Sequence, residues 1–300
     1  MEKVALTPAF GLSRIVHGQM RIHDWKMSVP ALLSLVEELI ELGITSFDHA
    51  DIYGKYTCEA VLGEVLSLNK GLRDKIEIVT KCGIRLITDK NPGQHVKYYD
   101  YSYDHIITSV HNSLRNFRTD RIDLLLLHRP APFFNPEEAA KAFSVLKKEG
   151  KVLHFGVSNF TPAQFDTLNS CTEEKLLTNQ VEISPYCLEH FENGNIDFFM
   201  KEKIRPMAWS PVAGGRLLKP SDDKALRISK VLHALADELN VGVVDTVIYA
   251  WLLQHPSTII PVVGSGSIER IRYAVEALDV SMSLEQWYRV YIASLGKDLP

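Results

Sequence analysis

The sequence predicts an α/β fold, a single TIM-type (β/α)8 barrel with extra helices and a C-terminal helix, spanning residues 1–300. Three observations lead there. Short apolar, β-branched segments alternate with longer amphipathic stretches along the whole chain. The alternation occurs eight times, with strand starts near residues 15, 45, 75, 122, 152, 178, 205 and 259. No composition shift or Pro/Ser-rich linker divides the chain, whose length suits a barrel of roughly 250 residues with insertions. Parallel strands need a crossover helix between them, which this alternation supplies. An eight-stranded open sheet is the runner-up, because alternation alone does not establish closure.

Each element has a local reason. Ile15 to Gly18 reads as the first strand. Over residues 31–42, Leu32, Leu33, Val36, Leu39 and Ile40 share one helical face, and Gly43 stops that helix. Thr45 to Ala50 is the second strand, and residues 57–68 the second helix. Lys75 to Lys81 alternates and is β-branched, as a third strand should be. A third helix covers residues 103–117. Ile122 to Leu127 is a nearly continuous apolar run, the mark of a buried parallel strand.

Asn135-Pro136-Glu137-Glu138 then supplies an N-cap, proline at the first helical position and acids in the first turn. Gly150 ends that helix. Val152 to Ser158 is the fifth strand, and Thr161-Pro162 opens the next helix. Thr178 to Ile183, Arg205 to Trp209 and Ile259 to Val263 complete the strands. Helices are expected over 224–239, 243–254 and 267–278. Ser283-Leu284-Glu285-Gln286 reads as a capping box for a final one. Two long gaps allow inserted loops at 84–102 and 211–224, the second with an extra helix.

Composition bounds the function. Hydrophobic residues make up 46% and charged residues 23%, typical of a globular chain. The formal net charge is −4, which argues against broad nucleic-acid binding. Apolar runs are too short to span a bilayer, so no membrane association is expected. Cys58, Cys82, Cys171 and Cys187 form no C-x-x-C pair, which suits reduced thiols in a cytoplasm. The N-terminus shows no secretory signal pattern. Oligomeric state is not legible.

In a (β/α)8 barrel, chemistry belongs at the C-terminal strand ends. Those ends carry Gly18 to Arg21, Asp48 to Tyr53, Lys81, His128, Ser158-Asn159, Gln180, Trp209-Ser210-Pro211 and Gly264-Ser265-Gly266. Taken singly, each has a bland role. Asp48 would cap a helix, Tyr53 would pack a loop, and Lys81 would lie along the surface. His128 and Gln180 would satisfy backbone groups, and Ser158-Asn159 would make a turn. The bland roles weaken because all fall at one end of one barrel.

Asp48, Tyr53, Lys81 and His128 form a coherent acid–base set. A phenol has a pKa of roughly 10, and a cation at Lys81 would stabilise its phenolate. An ion pair to Asp48 would hold that cation. His128 would orient a carbonyl oxygen. Such a set delivers a proton to an oxygen gaining negative charge, as hydride transfer to a carbonyl requires. No side chain donates hydride, so a cofactor must. Trp209 would lie against a nicotinamide ring, and Ser158, Asn159 and Gln180 would bond its carboxamide. Glycine turns at Gly214-Gly215 and Gly264-Ser265-Gly266 offer close approach to phosphates.

These segments, in this order, resemble the aldo-keto reductases over nearly the whole chain. Gly43 to Gly54 is similar to the family segment bearing the catalytic Asp and Tyr. Ile78-Val79-Thr80-Lys81 is similar to the strand ending in the catalytic Lys, and Asp123 to Pro130 to the segment with the catalytic His. Gly156 to Phe160, Asn179 to Glu182 and Trp209-Ser210-Pro211 are similar to cofactor-binding segments. Trp287-Tyr288-Arg289 resembles the final helix of a bacterial oxidoreductase branch.

The resemblance implies NADPH bound in extended form and reduction of small-molecule aldehydes or ketones. It implies Tyr53 as proton donor, Lys81 and Asp48 as its tuning pair, and His128 as the substrate-orienting residue. It assigns Gly18, Gln19, Met20, Ser158, Asn159, Gln180, Trp209, Ser210, Pro211, Gly214, Arg216, Gly264, Ser265, Gly266, Ser267 and Arg270 to the cofactor. Two departures stand out. His49 follows the Asp where many members have Thr. Gly264 stands where many have Lys, which bears on 2′-phosphate binding; Arg270, six residues on, is the alternative clamp.

Competing readings remain open. One is an aldolase or lyase using Lys81 as a Schiff-base amine. Another is a metal-dependent hydrolase built on His17, Asp48, His49, Asp51 and His128, which the absence of closely paired ligands disfavours, so no metal is expected. A third is a cofactor-binding regulatory subunit on the same fold. Substrate choice would rest on loops 20–30, 84–102, 131–135 and 211–224. Their aromatics Trp25, Tyr98, Tyr99, Tyr101, Phe133 and Phe134 hint at an apolar or ring-shaped substrate.

Overall fold

A computed structural model describes residues 1–89 and 93–300. Its eight principal strands are β1 (Val16–Gly18), β2 (Ser46–Asp48), β3 (Glu77–Cys82), β4 (Ile122–Leu127), β5 (Val152–Ser158), β6 (Leu176–Glu182), β7 (Met207–Trp209) and β8 (Ile260–Val263). They close into a barrel in chain order. The open-sheet alternative is thereby excluded. Backbone contacts group the chain into two compact units, Met1–Asn179 and Gln180–Pro300.

In the first unit the parallel register sets Gly18 beside Asp48, Asp48 beside Val79 and Lys81 beside Leu126. Every residue of β4 is buried. Its one polar member, Asp123, accepts from Arg73 Nη2 at 2.8 Å and from the Ile78 N–H at 2.8 Å. This buried ion pair staples the N-terminal side of β3 and β4, away from the chemistry. Helices α1 (Val29–Glu41), α2 (Cys58–Leu68), α3 (Tyr103–Phe117), α4 (Pro136–Lys148) and α5 (Pro162–Cys171) follow the first five strands. Ser28 caps α1 and Asn135 caps α4. Thr161 and Gln164 form a full capping box on α5.

Several features were not legible. An N-terminal hairpin, Lys3–Thr7 with Phe10–Ser13, precedes the barrel. It docks by stacking Phe10 on His154 at 4.2 Å, a tertiary contact with no local signal. The second strand is shorter than Thr45 to Ala50, but its ladder continues. His49 N–H reaches Val79 O at 2.8 Å and Asp51 N–H reaches Lys81 O at 2.9 Å. The 84–102 insertion holds a small hairpin, Ile84–Arg85 with Tyr98–Tyr99. Residues 90–92 of that insertion lie outside the described part.

The second unit contains α6 (Asn195–Glu202), α7 (Asp223–Glu238), α8 (Val244–Leu253), α9 (Ile268–Glu276) and α10 (Leu284–Leu295). Segment 211–224 carries only the 3₁₀ turn Ala213–Gly215 before Asp222 caps α7. The extra helix of the long gap between β7 and β8 is α8, where a helix over 243–254 is expected. The Ser283–Gln286 capping box opens α10. Trp287 on α10 stacks on Trp251 of α8 at 4.9 Å, and the indole N–H of each donates to the other's carbonyl.

Candidate active site

Asp48 ends β2, Lys81 is the last residue but one of β3, and His128 follows β4 directly. Lys81 is 1% exposed, so its ammonium must be paired. Its Nζ donates to Asp48 Oδ1 and Oδ2 at 2.8 and 2.7 Å, to the His49 carbonyl at 2.7 Å and to the Tyr53 hydroxyl at 3.4 Å. An ammonium has three donors; here they meet a carboxylate, a carbonyl and a phenol. Burial alone would lower the lysine pKa, but Asp48 and Tyr53 outweigh it and hold the ammonium above its ordinary range.

Tyr53 is fixed from both sides. Its N–H donates to Ala50 O at 3.1 Å, and its carbonyl accepts from Thr57 and Cys58 N–H at the start of α2. Gly54, Lys55 and Tyr56, the next three residues, all have left-handed backbone, with φ of 57°, 55° and 70°. For the two non-glycine residues this is backbone strain, a frequent companion of functional sites. Burial raises the Tyr53 pKa above its ordinary value; Lys81 pulls it back and Asp48 pushes it up. Lys81 acts in the direction the sequence suggested, favouring the phenolate, but burial outweighs it, and the resting hydroxyl keeps the proton that a donor must carry.

The His128 ring lies edge-on to the Tyr53 ring at 5.8 Å. The His128 backbone N–H donates to Cys82 O at 3.0 Å, and its backbone carbonyl accepts from Asn159 Nδ2 at 3.3 Å. Burial and the charges of Lys81 and Arg129 push its pKa well below the usual imidazole range. A neutral imidazole offers one donor and one acceptor. Its buried Nδ1 has no protein partner.

The surrounding scaffold holds these groups. Tyr101 hydroxyl donates to Arg129 O at 2.5 Å and accepts the Arg129 N–H at 2.9 Å, clamping the turn after His128. Gly83, with φ of 106°, passes so close that a Cβ there would sit 1.8 Å from the Tyr101 ring. Phe134 packs edge-on to Tyr101 at 5.6 Å, whereas Phe133 is 97% exposed. The loop aromatics thus divide between packing and an open position.

Of the residues assigned to the cofactor, Gly18, Gln19, Met20, Ser158 and Asn159 lie in the first unit. Gln19 N–H donates to Asp48 O at 2.9 Å, Ser158 is buried, and Met20 is exposed. Asn159 has φ of 63° and donates to Ser158 Oγ at 2.7 Å.

The others lie in the second unit. Gln180 is buried within β6, and Trp209 ends β7. Ser210, Ala213, Gly214 and Gly215 all have positive φ, and the space around both glycines is open. Gly264-Ser265-Gly266 leads into α9, where Ser267 Oγ caps the Arg270 N–H at 3.4 Å. Amide, hydroxyl and guanidinium donors of this kind fit a polyanionic nucleotide. Arg270 is already engaged: its Nη2 and Nε reach Asp245 Oδ2 at 3.0 and 3.2 Å.

Among the described residues, no three His, Cys, Asp or Glu side chains lie close enough to hold a metal ion. The hydrolase reading finds no support there. No helix of the described residues is long and apolar enough to cross a membrane.

The Aldo/keto reductase family model matches residues 14–294. The chain belongs to that family. The reductase is 46% identical over 300 residues to the uncharacterized oxidoreductase YcsN of Bacillus subtilis, covering all of both chains. It is 48% identical to the oxidoreductase YdhF of Escherichia coli K12, covering 96% of this chain and 95% of that one. It is 43% identical, over all of both chains, to 6-dehydroglucose reductase of Agrobacterium fabrum. The crystal structure of the thermostable aldo-keto reductase Tm1743 shares the fold with a TM-score of 0.79 at 21% identity. It covers 98% of this chain and 100% of that one. The reductase is an enzyme, an oxidoreductase that reduces carbonyl groups with a nicotinamide cofactor. The aldolase and regulatory-subunit readings are not favoured.

Sequence reasoning missed several supports. Tyr101 was weighed only as a loop aromatic. Asn179, fully buried, exchanges bonds with Phe160 N–H and O at 3.4 and 2.7 Å. Glu59 accepts from Thr80 and Asn116. A polar residue inside an apolar helix face was the available signal for Glu59; for Tyr101 there was none.

Proposed function

We propose that the reductase uses NADPH and reduces small aldehydes or ketones with Tyr53 as proton donor. The observation that carries this is the buried Lys81 ammonium, held by Asp48 and reaching the Tyr53 hydroxyl at 3.4 Å. The cofactor supplies the hydride. The Tyr53 hydroxyl gives its proton to the carbonyl oxygen as negative charge develops there. Lys81 lowers the cost of the resulting phenolate, and Asp48 keeps Lys81 charged and in place. His128, neutral, donates a hydrogen bond that aims the carbonyl oxygen at Tyr53.

The residues assigned above to the cofactor would hold it. Arg216, Arg270 and the hydroxyls of Ser265 and Ser267 would take its phosphates, and Trp209 would face its ring. Residues 1–300 would act as one domain, a reading supported by the family match over residues 14–294. Four unpaired cysteines support a cytoplasmic setting. Two relatives named 6-dehydroglucose reductase, at 43% and 37% identity, make an oxidised sugar the first carbonyl compound to assay.

Tyr53→Phe keeps the ring and deletes the proton. Reduction should fall ~10²- to 10⁴-fold, the usual worth of a general acid, with cofactor binding retained. Lys81→Met should also abolish turnover, and borohydride added to wild type with substrate should leave Lys81 unmodified. Near-normal turnover in Tyr53→Phe would overturn the assignment. A trapped adduct on Lys81 would move the protein to Schiff-base chemistry.

A further inference from the structure

The Trp287-Tyr288-Arg289 segment of α10 takes no part in carbonyl reduction, and neither do the rings around it. In the second unit these rings wall a groove of about 620 Å³ between α6, the turn after α8, and α10. Its volume is that of a small-molecule site. None of Asp48, Tyr53, Lys81 and His128 lines it, nor does any residue assigned to the cofactor.

The rings are Phe191, His255, Trp287, Tyr288 and Tyr291. Trp287 is the back wall, because it stacks on Trp251 at 4.9 Å and on Tyr291 at 5.6 Å. The others meet in corners. Tyr288 stands at 76° to Tyr291 with centroids 6.1 Å apart, and Phe191 at 90° to Tyr291 with centroids 6.3 Å apart. A cation seated in such a corner is within about 6 Å of two ring centroids, the reach of a cation–π contact. The rings are open to the groove: Tyr288 is 39% exposed, and Phe191, Trp287 and Tyr291 are each partly exposed.

The charge on the groove has one sign. Among the described residues that line it, Asp197, exposed in the first turn of α6, is the one carboxylate, and there is no lysine or arginine. Burial lowers the His255 pKa from 6.5 to about 4, so that ring is neutral at pH 7. Nearby cations are directed to other partners. Arg289 meets Glu238 of α7 at 2.7 and 2.8 Å, and Lys201 pairs with Glu202 at 3.0 Å. Glu192, beside Phe191, accepts from the Tyr291 hydroxyl and adds a second negative charge at that rim. Met200, Leu284 and Leu299, all exposed, extend the wall with apolar surface. Exposed apolar side chains gathered in one groove mark a binding site, whereas scattered ones do not.

We propose that this groove binds an organic cation, a methylated ammonium seated among Phe191, Tyr288 and Tyr291 with Asp197 as its counter-charge. Its apolar body would lie along Met200, Leu284 and Leu299. Aromatic faces suit a methylated ammonium, whose charge is spread over methyl groups that donate no strong hydrogen bond. An anion would meet two carboxylates and no cation.

Isothermal titration of the full chain with benzyltrimethylammonium chloride tests this. Benzyl alcohol supplies the apolar body alone, and 3,3-dimethylbutan-1-ol carries a tert-butyl group, the uncharged copy of the head. Benzyltrimethylammonium should bind saturably at one site per chain, and each alcohol roughly tenfold more weakly. Tyr288→Ala and Asp197→Lys, both at exposed positions, should each weaken the cation roughly tenfold. Tyr288→Phe, which keeps the ring, should bind it as wild type does.

No saturable heat with benzyltrimethylammonium overturns the proposal. So does either alcohol binding as tightly as the cation, which would make the groove merely apolar, and so does wild-type affinity in both Tyr288→Ala and Asp197→Lys. Sedimentation of wild type and Tyr288→Ala should be alike. A wild-type dimer that Tyr288→Ala dissociates would give the groove to a second copy and also overturn the proposal. Carbonyl reduction is not part of either measurement, so the reductase assignment stands whatever their outcome.

Discussion

At the residue scale the site is governed by how burial is compensated. Lys81 is compensated completely; His49, its neighbour, is not. His49 is fully buried, neither ring nitrogen has a hydrogen-bond partner, and its ring meets Phe117 edge-on at 5.1 Å. Burial and the Lys81 charge lower its pKa from 6.5 to about 3. The unfolded chain therefore binds a proton near pH 6.5 that the folded chain refuses until about 3. Stability is full above about 6.5 and is lost as pH falls through that window. His154 and His255, both lowered to about 4, act in the same direction. His49→Leu should reduce the fall in melting temperature between pH 7 and pH 4.5; an unchanged fall would remove His49 from the account.

Arg270 is the other residue with a measurable consequence. Its bond to Asp245 leaves part of the guanidinium for a phosphate. Arg270→Ala should cost roughly 1.5–3 kcal/mol of NADPH binding, the worth of hydrogen bonds to charged groups. NADH should barely change. Fluorescence titration of both cofactors reads this, and equal losses would reject a 2′-phosphate role.

At the element scale, helices α2 and α3 approach closely at Gly63. A Cβ there would sit 1.9 Å from the Asn116 carbonyl oxygen. The glycine is needed for space, since its backbone is ordinary helix. The contact matters to the site because α2 begins at the residues that hold the Tyr53 carbonyl. Glu59 of α2 also bonds Thr80 on β3, beside Lys81, and Asn116 on α3. Gly63→Ala should destabilise the fold by about 1–3 kcal/mol, the usual cost of overpacking, or more because the obstacle is backbone. Urea unfolding measures it.

At the scale of the whole molecule, residues assigned to the site fall at strand ends in each unit. Gly18, Asp48, Ser158 and Trp209 are each the last residue of their strands, and Gly264 follows β8 directly. The chemistry proposed for Asp48, Tyr53, Lys81 and His128 with a nicotinamide cofactor requires no bound metal. Exhaustive dialysis against a chelator should leave carbonyl reduction unchanged. Loss of activity restored by a divalent ion would contradict that.

The sequence by itself determined the strand count, the strand-end placement of Asp48, Lys81 and His128, and the helix caps at Asn135, Thr161 and Ser283. These are local or periodic properties: apolar runs, N-cap residues and glycine stops are written within a few neighbouring positions. Barrel closure, the Phe10–His154 contact of the N-terminal hairpin, and the Tyr101 clamp depended on residues distant in the chain. So did the ionisation balance at Tyr53, where Lys81 favours the phenolate and burial outweighs it. Burial is a sum over all the neighbours that folding brings together, which no single stretch of sequence records.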